Sequence, residues 1–220
     1  MRSALPFLLL ASCAAPPPPA PAAPPPPDPA ALRIEARAAL VALERSFYDH
    51  WGSVERTAAY GKLRPAHVPF LRELVDANGE HALMALRVLS RLAPEEGFSA
   101  EARAIVYARV LERETNFARW GVISPSGFLP GVYGAELLAL KAAAGPHLQR
   151  LLVDRRRAPV VGGEGERTSR AQGDRVCDYA WVLLATIFDR PLAYYEDPRL
   201  RDEQIRQLDL WLDRVTKQRR

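Results

Sequence analysis

The chain has 220 residues, with 30 Lys and Arg against 26 Asp and Glu, for a formal net charge of +4. The basic residues interleave with acidic ones, which speaks against a nucleic-acid footprint, and two cysteines are too few for a disulfide-stapled scaffold. Alanine, leucine and arginine dominate and aromatics are modest, a composition that favours helix over strand.

The first thirteen residues carry one positive charge at Arg2, a short apolar run from Ala4 to Leu10, then small residues and Cys13. The run is far too short to span a bilayer, which takes about 20 residues, and it has the layout of a secretory signal. Leu10-Ala11-Ser12-Cys13 resembles the lipobox of bacterial lipoproteins. The resemblance implies that residues 1–12 are a signal peptide and that Cys13 is acylated as the first mature residue. It also implies that the N-terminal lipid tethers the chain to a membrane in the cell envelope. By the same resemblance, Ala14 after the cysteine points to the outer membrane, facing the periplasm.

Residues 13–29 then form a spacer. Eleven of the 20 prolines lie before residue 30. Such a tract lacks the side chains for a core, favours polyproline II, and extends roughly 50 Å at about 3.1 Å per residue.

Residues 30–220 make one domain large enough for a core. Asp28-Pro29 is a helix-opening pair, and Leu32, Ala36, Leu40, Leu43 and Phe47 recur at helical spacing up to Gly52. A short helical piece is predicted over Ser53–Tyr60. Residues 65–93 form a predicted helical hairpin, with Val68, Leu71, Leu74 and Val75 on one arm and Ala82, Leu86, Leu89 and Leu92 on the other. Asn78 and Gly79 suit a left-handed cap between them. After a turn over Pro94–Phe98, Ser99 caps a helix to about Thr115, with Ala102, Ile105, Val106 and Val110 or Leu111 facing inward. Asn116 to Val132 is predicted as an aromatic-rich loop, and a helix follows over Tyr133–Ala144. Residues 146–189 repeat the hairpin theme around a long loop, Arg155 to Asp174. Asp197-Pro198 opens the last helix, with Ile205, Leu208, Leu212 and Val215 as its inner stripe.

Helix follows helix with no convincing strand, so the predicted class is all-α. The hairpin at 65–93 resembles a HEAT repeat: a leucine-rich helix, an acidic turn, then an alanine-leucine helix. His147–Asp154 and Arg175–Leu184 resemble the two arms of a second. The resemblance implies an irregular HEAT-like α-α superhelix of three to four hairpins; the rival is a non-repeating helical bundle.

No catalytic constellation stands out. His50, His67, His81 and His147 form no ligand pair at helical spacing, and HExxH and CxxC are absent, so no metal or cofactor is expected. Ser124 is not in a GxSxG elbow, and Val161–Glu166, although glycine-rich, lacks the strand and GK of a phosphate loop. Cys177, left without a partner if Cys13 carries lipid, reads as a buried inert thiol. Asp178 lies on an otherwise apolar helix and needs a partner; Arg175, one turn back, is expected to supply an ion pair, with the arginines of the long loop as alternatives.

The strongest functional candidates are in the two loops. Arg155, Arg156, Arg157, Arg167 and Arg170 suit an acidic partner, a phosphate or a lipid headgroup, or are simply solvated. In the other loop Phe117, Trp120, Phe128 and Tyr133 either plug a gap between helices or form a contact surface. The leading expectation is a non-enzymatic, lipid-anchored interaction or scaffold module that meets another envelope protein and no nucleic acid. Alternatives are an envelope enzyme acting on cell-wall material, and a helical lipoprotein enclosing an apolar ligand.

Overall fold

The computed structural model describes residues 27–46, 57–161, 164–193 and 195–218. The signal segment, Cys13, nearly all of the proline-rich spacer, Phe47, Gly52 and most of the Ser53–Tyr60 piece lie outside the described residues. Within them the fold is mostly helical, in the all-α class, with one small β-hairpin.

Helix α1 (Pro29–Ser46) starts where the sequence places it, because the Asp28 carboxylate accepts the Ala30 amide at 2.9 Å. Its stripe of Ala36, Ala39, Leu40 and Leu43 is buried against α2 (Val68–Asp76) and α3 (Ala82–Leu92). The turn between α2 and α3 is left-handed at Asn78 (φ 48°), which returns its amide to the Val75 carbonyl, and again at His81 (φ 66°). Ser99 Oγ accepts the Ala102 amide at 3.1 Å and opens α4 (Ala100–Arg113). On α4, Val106 and Leu111 are buried, whereas Ile105 faces outward, 37 % exposed.

The segment after α4 departs from the expected loop. It forms an antiparallel hairpin of β1 (Gly121–Ser124) and β2 (Gly127–Pro130), with Val122 opposite Leu129 and Ile123 opposite Phe128. Gly121 takes φ +133°, and a side chain there would strike the Leu129 carbonyl oxygen, so this close approach is open only to glycine. The expected Tyr133–Ala144 helix is also interrupted. Helix α5 (Val132–Leu138) ends before Lys141, whose left-handed φ of 52° starts a 3-10 turn through Ala144.

Helix α6 (Gly145–Gln149) and the 3-10 turn Arg150–Val153 pack against α8 (Val176–Ile187), the central helix, which is buried from Val176 to Ala185. Between them the expected long loop contains a helix of its own, α7 (Glu164–Gln172). Its sequence is too polar to show an apolar stripe, so periodicity missed it. The last helix, α9 (Pro198–Gln218), begins where Asp197 accepts the Arg199 amide at 2.8 Å, and lays Ile205, Leu208 and Leu212 on the core. Among the described residues, no helix is long and apolar enough to cross a membrane.

Candidate functional site

The chain from Asp154 to Val161 is stitched down on several sides. The Ala158 amide donates to the Asp174 carbonyl at 2.8 Å, and Val176 and Cys177 donate to the carbonyls of Arg156 and Asp154, each at 2.9 Å. Phe117 donates to the Pro159 carbonyl, Val161 donates to Asn116 Oδ1, and Ser169 Oγ of α7 accepts the Val160 amide. Gly165 lets α7 close onto β1: a side chain there would meet Val122 at 2.7 Å and Val160 at 3.3 Å. The expected open loop is therefore a bound strap carrying a helix, because its backbone groups are taken up by neighbouring segments.

Beneath the strap lies a buried ionic cluster. Arg175 caps α8 and donates through its guanidinium to both Asp178 carboxylate oxygens, at 2.9 and 3.1 Å, while Asp178 also accepts the Arg175 amide at 2.9 Å. Arg201, from α9, donates to Asp178 at 2.9 Å, to Asp174 at 3.3 Å and to the Gln172 carbonyl at 2.9 Å. Sequence reasoning paired Asp178 with Arg175 and missed Arg201, which is 23 positions away on a helix that reads as polar. Burial works against the Arg175 charge, but the bonds to Asp178 and Asp202 outweigh it and hold its pKa above the usual value. Cys177 is fully buried beside this cluster, and its thiol is pushed up, first by burial and then by the Asp178 charge.

The arginines singled out from sequence divide into two groups. Arg155 is held by Asp202 at 3.1 Å and by Cys177 Sγ at 2.9 Å, Arg156 by Asp154 and the Glu112 carbonyl, and Arg170 by Glu166 at 2.7 Å. Arg157 and Arg167 are exposed and engage no ion pair or hydrogen bond among the described residues. The aromatic candidates divide as well. Trp120 is fully buried, edge-on to Tyr107 and Tyr133, so its ring fills the core and offers no contact surface. Phe128 is half-buried against Tyr179. Beside it Leu129 is 73 % exposed, and Val161 at the end of the strap is 55 % exposed. Leu129 pairs with Val122, and Val122 abuts Gly165, so the two exposed apolar residues border the same helix, α7.

Sequence reasoning also missed a cluster on the other side of Trp120. Tyr107 donates to Glu136, Arg87 pairs with Glu136 at 3.3 Å, and the guanidiniums of Arg87 and Arg119 lie over the Tyr133 ring at 5.5 and 5.6 Å. Arg119 also donates to the Tyr133 hydroxyl at 3.1 Å. Tyr133 and Arg119 form part of the wall of a cleft of about 290 Å³ between the α2–α3 turn and α4. No local signal marks this cleft, since its walls come from α1, the α2–α3 turn, the start of α3, α4, the segment before β1 and α5. Among the described residues no group of His, Cys, Asp and Glu is arranged to hold a metal ion. Comparison with protein-family models, with curated proteins and with solved structures finds no match.

Proposed function

We propose that this chain is a lipid-anchored protein of the cell envelope that acts as a non-enzymatic interaction module. In this reading Cys13 carries the acyl groups, the proline-rich tract holds the domain off the bilayer, and the helical domain meets an acidic surface of another envelope protein. The α2–α3 pair and the packing of α6 against α8 serve as HEAT-like hairpins around which the interaction surface is arranged.

The observation that supports partner binding most directly is the α7 surface. Two exposed apolar side chains, Leu129 and Val161, border α7 beside two arginines, Arg157 and Arg167, that have no intramolecular partner among the described residues. Arginine is enriched at protein interfaces, and the two exposed apolar side chains give a partner area to bury beside the guanidiniums.

The test has two arms. In the first, a Cys13→Ser variant is fractionated beside the native chain; the native form is expected in membranes with the mass of an acylated chain starting at Cys13, and the variant in the soluble fraction. In the second, a photo-crosslinker is placed at Leu129, at Val161 or, as a control, at the exposed Ile34 on α1. A discrete adduct at the first two positions only, lost on Arg157→Glu, supports the interface. Equal labelling at Ile34, or insensitivity to Arg157→Glu, refutes it.

A further inference from the structure

The chain holds two asparagines, and their surroundings differ. Asn116 is engaged on both side-chain atoms. Its Oδ1 accepts the amides of Ala118 and Val161, at 3.1 and 2.9 Å, and its Nδ2 donates to the Val161 carbonyl. The residue after it, Phe117, is fully buried. Asn78 stands in the α2–α3 turn, half-buried, and its side chain takes no hydrogen bond among the described residues. The residue after it is Gly79, which carries no side chain to shield the linkage between them.

The turn leaves that linkage room to react. The Gly79 amide donates to the Leu74 carbonyl at 3.4 Å, longer than the usual span of about 2.7–3.2 Å, so its nitrogen is loosely held. A Cβ built on Gly79 would meet nothing within 4 Å, so no neighbouring segment hinders rotation about this peptide unit. Asn78 also lines two clefts, of about 290 and 340 Å³, which opens its side chain to water. An amide carbon with an unengaged side chain, a loosely held nitrogen one residue on, and access to water therefore meet at one position.

We propose that Asn78 is a site of spontaneous covalent modification, which converts its side-chain amide to a carboxylate through a succinimide formed with Gly79. The Gly79 backbone nitrogen attacks Asn78 Cγ and a C–N bond forms. The Cγ–Nδ2 bond breaks, and ammonia leaves with the proton of the Gly79 nitrogen. Water then adds to one of the ring carbonyls. Addition at Cγ restores the original backbone and leaves aspartate. Addition at the main-chain carbonyl leaves isoaspartate, in which the chain continues through the former side chain. Water is the only other reactant. Either product places a new carboxylate in the two clefts that Arg109 also lines. Aspartate keeps the left-handed turn, which it tolerates as asparagine does. Isoaspartate inserts a methylene into the main chain and displaces the Gly79 amide from the Leu74 carbonyl. The site depends on none of the contacts assigned to the α7 surface.

The experiment incubates the full chain at mildly alkaline pH, folded and, in parallel, in denaturant, and follows both asparagines by peptide mapping with mass spectrometry. In the folded chain, aspartate and isoaspartate are expected to accumulate at position 78 at a rate within a few-fold of the denatured chain, while Asn116 stays an amide. Gly79→Ala, which has space for its methyl group, is expected to keep the native circular dichroism and to lose the conversion over the same period. A folded chain that retains Asn78 while the denatured chain converts it overturns the proposal, because the turn then protects the linkage. Conversion of Asn116 as fast as Asn78 in the folded chain, or undiminished conversion in Gly79→Ala, overturns it as well.

Discussion

Arg201 and Asp178 face each other at 2.9 Å with neither side chain exposed to solvent. This bond joins the last helix to the most deeply buried one, and Asp178 accepts three more from Arg175, two from its guanidinium and one from its amide. A buried pair adds little against an apolar pair of the same shape, but removing one partner strands a charge in a low-dielectric interior. The relationship is therefore a constraint on sequence more than a source of stability.

Replacing Asp178 with Asn keeps one acceptor oxygen for the Arg175 amide, but it removes the charge and turns the other oxygen into an NH2 donor facing the Arg175 guanidinium. The expected loss is about 3–5 kcal/mol, read as a fall in the midpoint of denaturant unfolding. The double replacement Asp178→Leu with Arg201→Met is expected to recover much of it. A midpoint within error of the native chain for Asp178→Asn would contradict the buried contact.

Backbone contact predicts a second asymmetry. A side chain at Gly134 would lie 2.2 Å from the Trp120 carbonyl oxygen, whereas one at Gly61 would meet nothing within 4 Å. Gly134→Ala is expected to cost about 1–3 kcal/mol by forcing the hairpin off α5. Gly61→Ala is expected to stay within about 0.5 kcal/mol of the native chain. Thermal melts of the two variants side by side check this.

The tyrosines set the alkaline limit. The phenols of Tyr107 and Tyr179 are held well above their usual value, first by burial, then by Glu136 beside Tyr107 and by Asp174 and Asp178 near Tyr179. Tyr133 is raised by burial, against the opposing charges of Arg119 and Arg87. In the unfolded chain these groups ionise near pH 10, and in the folded chain above it. Their contribution to stability is thus complete below about pH 10 and is lost as pH rises toward their folded values. Phenolate absorbance followed together with circular dichroism is expected to show these three rings silent until the helical signal collapses.

Cys177 gives a redox-side check. A thiol with no exposure and a raised pKa is a poor nucleophile. A thiol-reactive dye added to the native Cys13→Ser variant is expected to label nothing, and to label one site at full stoichiometry in denaturant. Fast native labelling would show that the strap over α8 opens.

The helix starts at Asp28-Pro29, Ser99 and Asp197-Pro198 were legible because a cap and the helix it opens lie within four residues of each other. The Arg175–Asp178 contact was legible for the same reason, since three positions on a helix bring two side chains together. The β-hairpin was not, because four-residue strands rich in glycine carry no alternation, and neither was α7, whose nine residues bury Ser169 and Gln172 but show no apolar stripe.

By itself, then, the sequence determined the all-α class, most helix boundaries, the apolar faces of α1, α2, α3 and α9, and the burial of Cys177, all of which follow from spacing along a few turns. Only the tertiary structure decided that Arg201 reaches Asp178, that Trp120 is core, that Arg155 and Arg156 take internal partners while Arg157 and Arg167 take none among the described residues, and that α4, the start of α3 and Arg119 line one cleft. The reason is physical. Local hydrogen bonding and hydrophobic period act between residues a few positions apart, whereas the fate of a charged or aromatic side chain depends on which distant segment packs over it, and that is settled only when the chain closes on itself.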